Sequence, residues 1–157
     1  MSENLVPYNG NDGHVFNVNH GIENLRLEKV EYEHLNSKQK ESYNFQKLSG
    51  LLTDYGYTTY RMYDDYNGAD LHAVRTTGEI IRIQLKSRIT IDKKYLDKKL
   101  YIAFSDNGTW YCYPHDYMFK VITNHSEGAN KNGFRSIHYI PVWLTDILKE
   151  FIISDKI

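Results

Sequence analysis

The chain has one cysteine, Cys112, among its 157 residues. An intrachain disulfide is therefore impossible, which fits a reducing compartment. No apolar run approaches the ~20 residues that span a bilayer. The opening stretch MSENLVPYNG has no basic-then-apolar pattern, so it does not read as a secretion signal. These absences lead us to expect a cytoplasmic protein with no membrane partner. The chain also lacks GxxxxGK[ST] and GxGxxG, so nothing points to nucleotide hydrolysis or a dinucleotide site. Its seven histidines form no HExxH or HxH and have no cysteine partner nearby, which argues against zinc.

A length of 157 residues is enough for one domain with its own core. The net charge of −1 does not advertise a polyanion partner. The charges are unevenly placed, however. Residues 1–34 carry two basic side chains against six acidic ones, whereas residues 82–99 carry seven basic ones (Arg82, Lys86, Arg88, Lys93, Lys94, Lys98, Lys99) against Asp92 and Asp97. Such a stretch attracts phosphate over about a Debye length, ~8–10 Å. The plain alternative is a solvated charged loop.

Residues 1–35 read as an N-terminal arm or edge strands, with a short hairpin around VFNV and brief alternation over 24–34. Residues 36–157 read as a single domain. Asn36 and Gln39 form a capping-box pattern. Glu41, Phe45, Leu48 and Leu52 then step along one helical face, widened by Leu51 and Tyr55 and ended by Gly56. Strand-like segments follow at 58–63, 68–74 and 79–88, the last two separated by Thr76-Thr77-Gly78. The polar stretch 89–99 looks like a connecting loop with one helical turn. Residues 100–104 and 109–113 flank Asn107-Gly108, a strong hairpin signal. Pro114 opens a short helix to 122, 123–134 is a loop, 136–141 a strand, and 142–153 an amphipathic helix.

The chemistry-bearing set is Asp70, Gln84 and Lys86. A phosphodiesterase needs hard oxygen ligands for a divalent ion and a cation beside the attacking water. Gln84 and Lys86 are two apart on a strand and share a face, while Ile81, Ile83 and Leu85 take the other. Whether Asp70 joins them depends on hairpin register. If Arg75 pairs with Glu79 across a three-residue loop, Asp70 lies opposite Gln84. If Thr76 pairs with Glu79 across two residues, Asp70 lies opposite Leu85 and the site fails. Gly78 is placed for the left-handed end of a three-residue loop.

The segments NGADLHAV and IRIQLKSR resemble the PD-(D/E)XK nuclease superfamily, which includes restriction enzymes, Holliday-junction resolvases and repair nucleases. Gln84 in place of the acid resembles the Mrr-like branch with Gln-x-Lys. The chain from LNSKQKESYNFQKL through LYIAF and WYCYPHD also looks like a group of small bacterial proteins of no established activity. The nuclease resemblance implies an α/β (α+β) restriction-endonuclease-like domain, a central mixed sheet flanked by helices. It implies Mg²⁺ or Mn²⁺ held by Asp70, Gln84, the Leu85 carbonyl and Glu41, with Lys86 activating the nucleophile. It implies contact of Arg88, Lys93, Lys94, Lys98 and Lys99 with DNA, RNA remaining open, and a homodimer, since a chain this small offers little surface to grip a duplex.

Each residue also has a bland role. Asp70 can begin a strand after a turn, Gln84 and Lys86 can face solvent, and Glu41 can pair with a helix-start lysine. Neutral Gln84 leaves an inactive nuclease-fold module binding nucleic acid or protein as the alternative. His115 and Asp116 can serve as base or phosphate contact, but a helix-start structural role is the stronger expectation. Cys112 alternates with Trp110 and reads as core. The fourteen tyrosines can stack on bases but more often fill half-buried sheet positions.

Overall fold

The computed structural model describes residues 27–64, 67–125 and 133–154. The chain divides into two units, Met1–Asn36 and Ser37–Ile157. In the first unit the described residues contain a short 3-10 turn, Tyr32–His34. The edge strand expected over 24–34 is not formed in its described part, 27–34, where charged side chains at 28, 29, 31 and 33 leave no buried face. The VFNV hairpin lies outside the described residues.

The second unit is α+β. Helix α1, Ser37–Asp54, leads through Gly56, at φ +78°, into β1, Tyr57–Arg61. The next strands are β2, Leu71–Arg75, and β3, Ile80–Leu85. After β4, Ile89–Asp92, a 3-10 turn over Lys93–Tyr95 leads to β5, Leu100–Asp106, and β6, Thr109–Pro114. Helix α2, His115–Asn124, β7, Phe134–Ile137, and helix α3, Val142–Lys149, complete it.

The main sheet runs β1-β2-β3-β5-β6. Only β3 and β5 are parallel neighbours; the other pairs are antiparallel. The sheet is therefore mixed, and its two faces are covered by different layers. On one face, Leu48 and Leu52 of α1 pack on Leu71, Ala73, Ile83, Ala103 and Trp110. Cys112 packs at the margin of the same cluster, as its alternation with Trp110 predicts. On the other face, Ile102, Phe104 and Tyr113 meet Ile89 and Ile91 of β4, Met118 and Ile122 of α2, Ile137, and Leu144 and Leu148 of α3. Burying such side chains contributes about 1.5–3 kcal/mol each, so the two clusters carry the domain.

Two departures from sequence expectation have clear causes. Residues 89–92 are not loop but strand β4, paired with β7 in a second, two-stranded sheet. Ile89, Thr90 and Ile91 are all buried, so the segment has no polar-apolar alternation to give it away. Tyr113 fastens it: its hydroxyl donates to the Thr90 carbonyl at 2.8 Å and accepts from the Thr90 N–H at 3.0 Å. The C-terminal helix stops at Lys149 rather than continuing to 153. Beyond it, Cys112 N–H donates to Phe151 O, and Ile153 N–H donates to Trp110 O, both at 2.9 Å. Edge strand β6 has backbone groups that need partners, and this short tail supplies them.

Candidate metal and phosphate site

The β2–β3 hairpin sets the site. Arg75 N–H donates to Glu79 O at 2.8 Å and Gly78 N–H to Arg75 O at 2.9 Å. Gly78 sits at φ +88°. The three-residue loop thus forms, and Leu71 faces Ile83 and Ala73 faces Ile81. The same register puts Asp70 opposite Gln84. Their side chains meet: Gln84 Nε2 donates to Asp70 Oδ2 at 2.7 Å, and the Leu85 N–H donates to the same oxygen at 2.7 Å. Gln84 is 9% exposed, so this pairing satisfies polar groups that would otherwise be buried at a cost.

Lys86 continues from Gln84, and its N–H donates to Ala103 O at 2.9 Å. Its Nζ donates to the Tyr95 hydroxyl at 3.2 Å. Tyr95 is buried, at 6% exposure, with Ala69 and Leu100. The ammonium groups of Lys86, Lys94 and Lys98 lie 5.4, 4.9 and 6.0 Å from its ring centroid. Lys94 also pairs with Asp92 at 3.4 Å. The Tyr95 hydroxyl first, then Asp92, hold the Lys94 ammonium above its ordinary range.

Tyr95 was not singled out by the sequence. Its only signal was an aromatic placed between lysines in KKYLDKK. Gly68 sits at φ +82° against the Tyr95 ring. A Cβ at Gly68 would lie 2.8 Å from Tyr95 Cε1 and 3.0 Å from Cδ1. The backbone delivering Asp70 and the ring supporting Lys86 are therefore in contact.

The remaining expected site residues are placed elsewhere. Glu41 forms an ion pair with Arg61 of β1, and its side chain is 63% exposed. Arg61 lies opposite Leu71 and so shares the face packed against α1. Asp70 and Gln84, one position along, use the opposite face. The helix that carries Glu41 thus covers the wrong side of the sheet for it to join them. Arg88 lies against the His138 ring. Lys93 packs on Gly133, and Lys99 is exposed at φ +53°.

His115 is fully buried, and its Nε2 accepts from the Asp92 N–H at 3.1 Å. A nitrogen that accepts carries no proton, so Nδ1 bears it and donates to Asp116 Oδ1 at 2.9 Å. Asp116 Oδ2 in turn accepts from the Asp97 N–H at 3.1 Å. The pair pins both ends of the lysine-bearing segment rather than capping the start of α2, which has no side-chain cap hydrogen bond.

Among the described residues no group of three His, Cys, Asp or Glu side chains converges as a metal cluster. The oxygen donors on offer are one carboxylate, the Gln84 amide and backbone carbonyls. That set still fits Mg²⁺, which is commonly held by one or two carboxylates together with substrate phosphates. The Gln84 amide must turn so that its oxygen, not its nitrogen, faces the ion. Among the described residues no helix is long and apolar enough to cross a membrane.

No protein-family model matches the chain, and no curated protein does. Among solved structures, a Holliday junction resolvase from the archaeal hyperthermophile Archaeoglobus fulgidus is similar over 44% of this chain and 74% of its own. The identity is 13% and the TM-score 0.36. A likeness of that size assigns no residue a role.

Proposed function

We propose that the protein is a metal-dependent endonuclease of the restriction-endonuclease-like class, hydrolysing phosphodiesters of DNA. The observation that supports this most is the register contact between Asp70 and Gln84, 2.7 Å apart, with Lys86 next along that strand face. Asp70, Gln84 and the Leu85 carbonyl would hold Mg²⁺ or Mn²⁺. A divalent ion there would supply Lewis-acid charge to the phosphoryl oxygen and a more acidic bound water. Lys86 orients the attacking water and offsets the negative charge that grows on the phosphate in the transition state. Asp70 also fixes the end of β3 through the Leu85 N–H. Lys94 and Lys98, and at greater reach Arg88, Lys93 and Lys99, meet flanking phosphates of the backbone. Two copies of the chain together would grip a duplex.

The test is cleavage of supercoiled plasmid and of branched and single-stranded oligonucleotides, with Mg²⁺ or Mn²⁺, comparing wild type with Lys86→Ala. Metal-dependent nicking that disappears in the variant supports the proposal. Folded wild-type protein that cleaves none of these overturns it.

One observation favours a second function, a nuclease-fold module that binds without cutting. Gln84 Nε2 and the Leu85 N–H already saturate Asp70 Oδ2, as a purely structural cap of the strand would be saturated. Such a module binds oligonucleotide with a steep salt dependence and no need of metal.

A further inference from the structure

Three ammonium groups surround one buried aromatic ring, each within 6.0 Å of its centroid. They share a region about one Debye length across, ~10 Å at 0.1 M salt. The ring attracts each ammonium through cation–π contact, and Asp92 neutralises only the Lys94 charge. The positive charge that remains attracts a phosphate. The ring that gathers these ammonium groups is held from several sides. Tyr95 packs on Gly68, two residues before Asp70. It meets fully buried His115 edge-on, at 5.6 Å and 86°. The His115–Asp116 pair ties down Asp92 and Asp97 on either side of it. The ring is therefore fixed before any ligand arrives.

Resting on the endonuclease function above, we propose that Tyr95 is the positioning residue of the site. Its hydroxyl fixes the Lys86 ammonium beside the Asp70–Gln84 pair, and its ring gathers Lys94 and Lys98 around the same backbone phosphate. Tyr95 does not touch the reacting atoms; it acts through Lys86. A lysine side chain has many rotamers, and freezing one costs free energy that is otherwise taken from the chemical step. The hydroxyl meets that cost in advance.

The test uses the full chain and Tyr95→Phe, which keeps the ring and removes only the hydroxyl. Unfolding midpoints are measured first to show that the variant is folded. The expected result is a kcat about tenfold lower with KM little changed, the size expected when a hydrogen bond to a charged group is lost. A purely structural tyrosine would lower kcat only in step with a lower unfolding midpoint, and that outcome overturns the proposal. So does Tyr95→Phe cleaving within twofold of an active wild type. A second measurement needs no catalysis: the ¹H–¹⁵N signal of the Lys86 ammonium near 5 °C. It should be visible in the wild type and broadened away in Tyr95→Phe. A signal unchanged by the substitution overturns Tyr95 positioning. Wild-type protein without cleavage but with a Tyr95-dependent signal would sink only the endonuclease function.

Discussion

Asp70 and Gln84 face each other across the β2–β3 hairpin with 2.7 Å between Oδ2 and Nε2, and the loop Thr76-Thr77-Gly78 is what puts them there. Strand pairing has a period of two, so a one-residue slip would have turned Asp70 to Leu85 and away from Gln84. Gly78, at φ +88°, accepts the left-handed conformation that ends the three-residue loop. The site thus depends on a glycine outside it.

Asp70→Asn is expected to abolish metal-dependent cleavage, by at least about a hundredfold, with little effect on folding. The amide oxygen can still accept from Gln84 Nε2 and the Leu85 N–H. Plasmid nicking and a thermal melt check both halves. Retained cleavage would remove Asp70 from the metal set.

Gln84→Glu places two carboxylates opposite one another. Without metal they repel, so the melting temperature should fall in EDTA. Added Mg²⁺ or Mn²⁺ should restore it and exceed the wild-type response, because the second charge strengthens binding. A melting temperature indifferent to metal in both proteins would argue that no ion binds here.

Glu41→Gln should leave cleavage within about twofold of wild type. The Glu41–Arg61 pair is exposed, and such pairs contribute ~0–1 kcal/mol, so stability should also change little. A large loss of cleavage would mean that α1 moves Glu41 to the site when substrate binds.

Gly68→Ala should destabilise the fold by about 1–3 kcal/mol, measured by urea unfolding. The new methyl strikes the Tyr95 ring, whose carbons lie at 2.8 and 3.0 Å, and the backbone there is at φ +82°. Pairing Gly68→Ala with Tyr95→Ala should recover the clash part of the loss but not the backbone part. Full additivity of the two would show that they do not meet.

Alkaline pH provides a test of the core. Burial raises the Cys112 thiol from 9.0 to about 12 and raises Tyr113 as well. The unfolded chain therefore releases these protons first as pH rises. Below pH 9 their contribution is intact; between about 9 and 12 the unfolded state binds fewer protons and stability falls. The thiol alone accounts for up to about tenfold in the folding equilibrium per pH unit. Cys112→Ala should make that decline shallower in unfolding curves taken at pH 8, 9 and 10. Equal slopes would assign the decline to other groups.

How far the sequence was legible depended on how local each signal was. Helix α1 announced itself through Phe45, Leu48 and Leu52 and the glycine after it. The hairpins did so through Gly78 and Asn107-Gly108, and of the two registers the sequence left open the three-residue loop brings Asp70 to Gln84. Strand β4 was hidden because Ile89, Thr90 and Ile91 are buried together and its partner β7 is distant in sequence. Glu41 was misplaced because a helical stripe shows which face is apolar, not which side of the sheet the helix will cover. Tyr95 was missed because its importance lies in contacts with Gly68, Lys86 and His115, which no pattern in KKYLDKK encodes.

The segment Phe151–Ile153 adds a last rung to β6, although it was expected to be helix. Without it, Trp110 and Cys112 would present a bare row of amide groups on a hydrophobic strand, the template on which another chain's strand can grow. Those few residues therefore cover the one edge of β6 on which a further strand would otherwise pair.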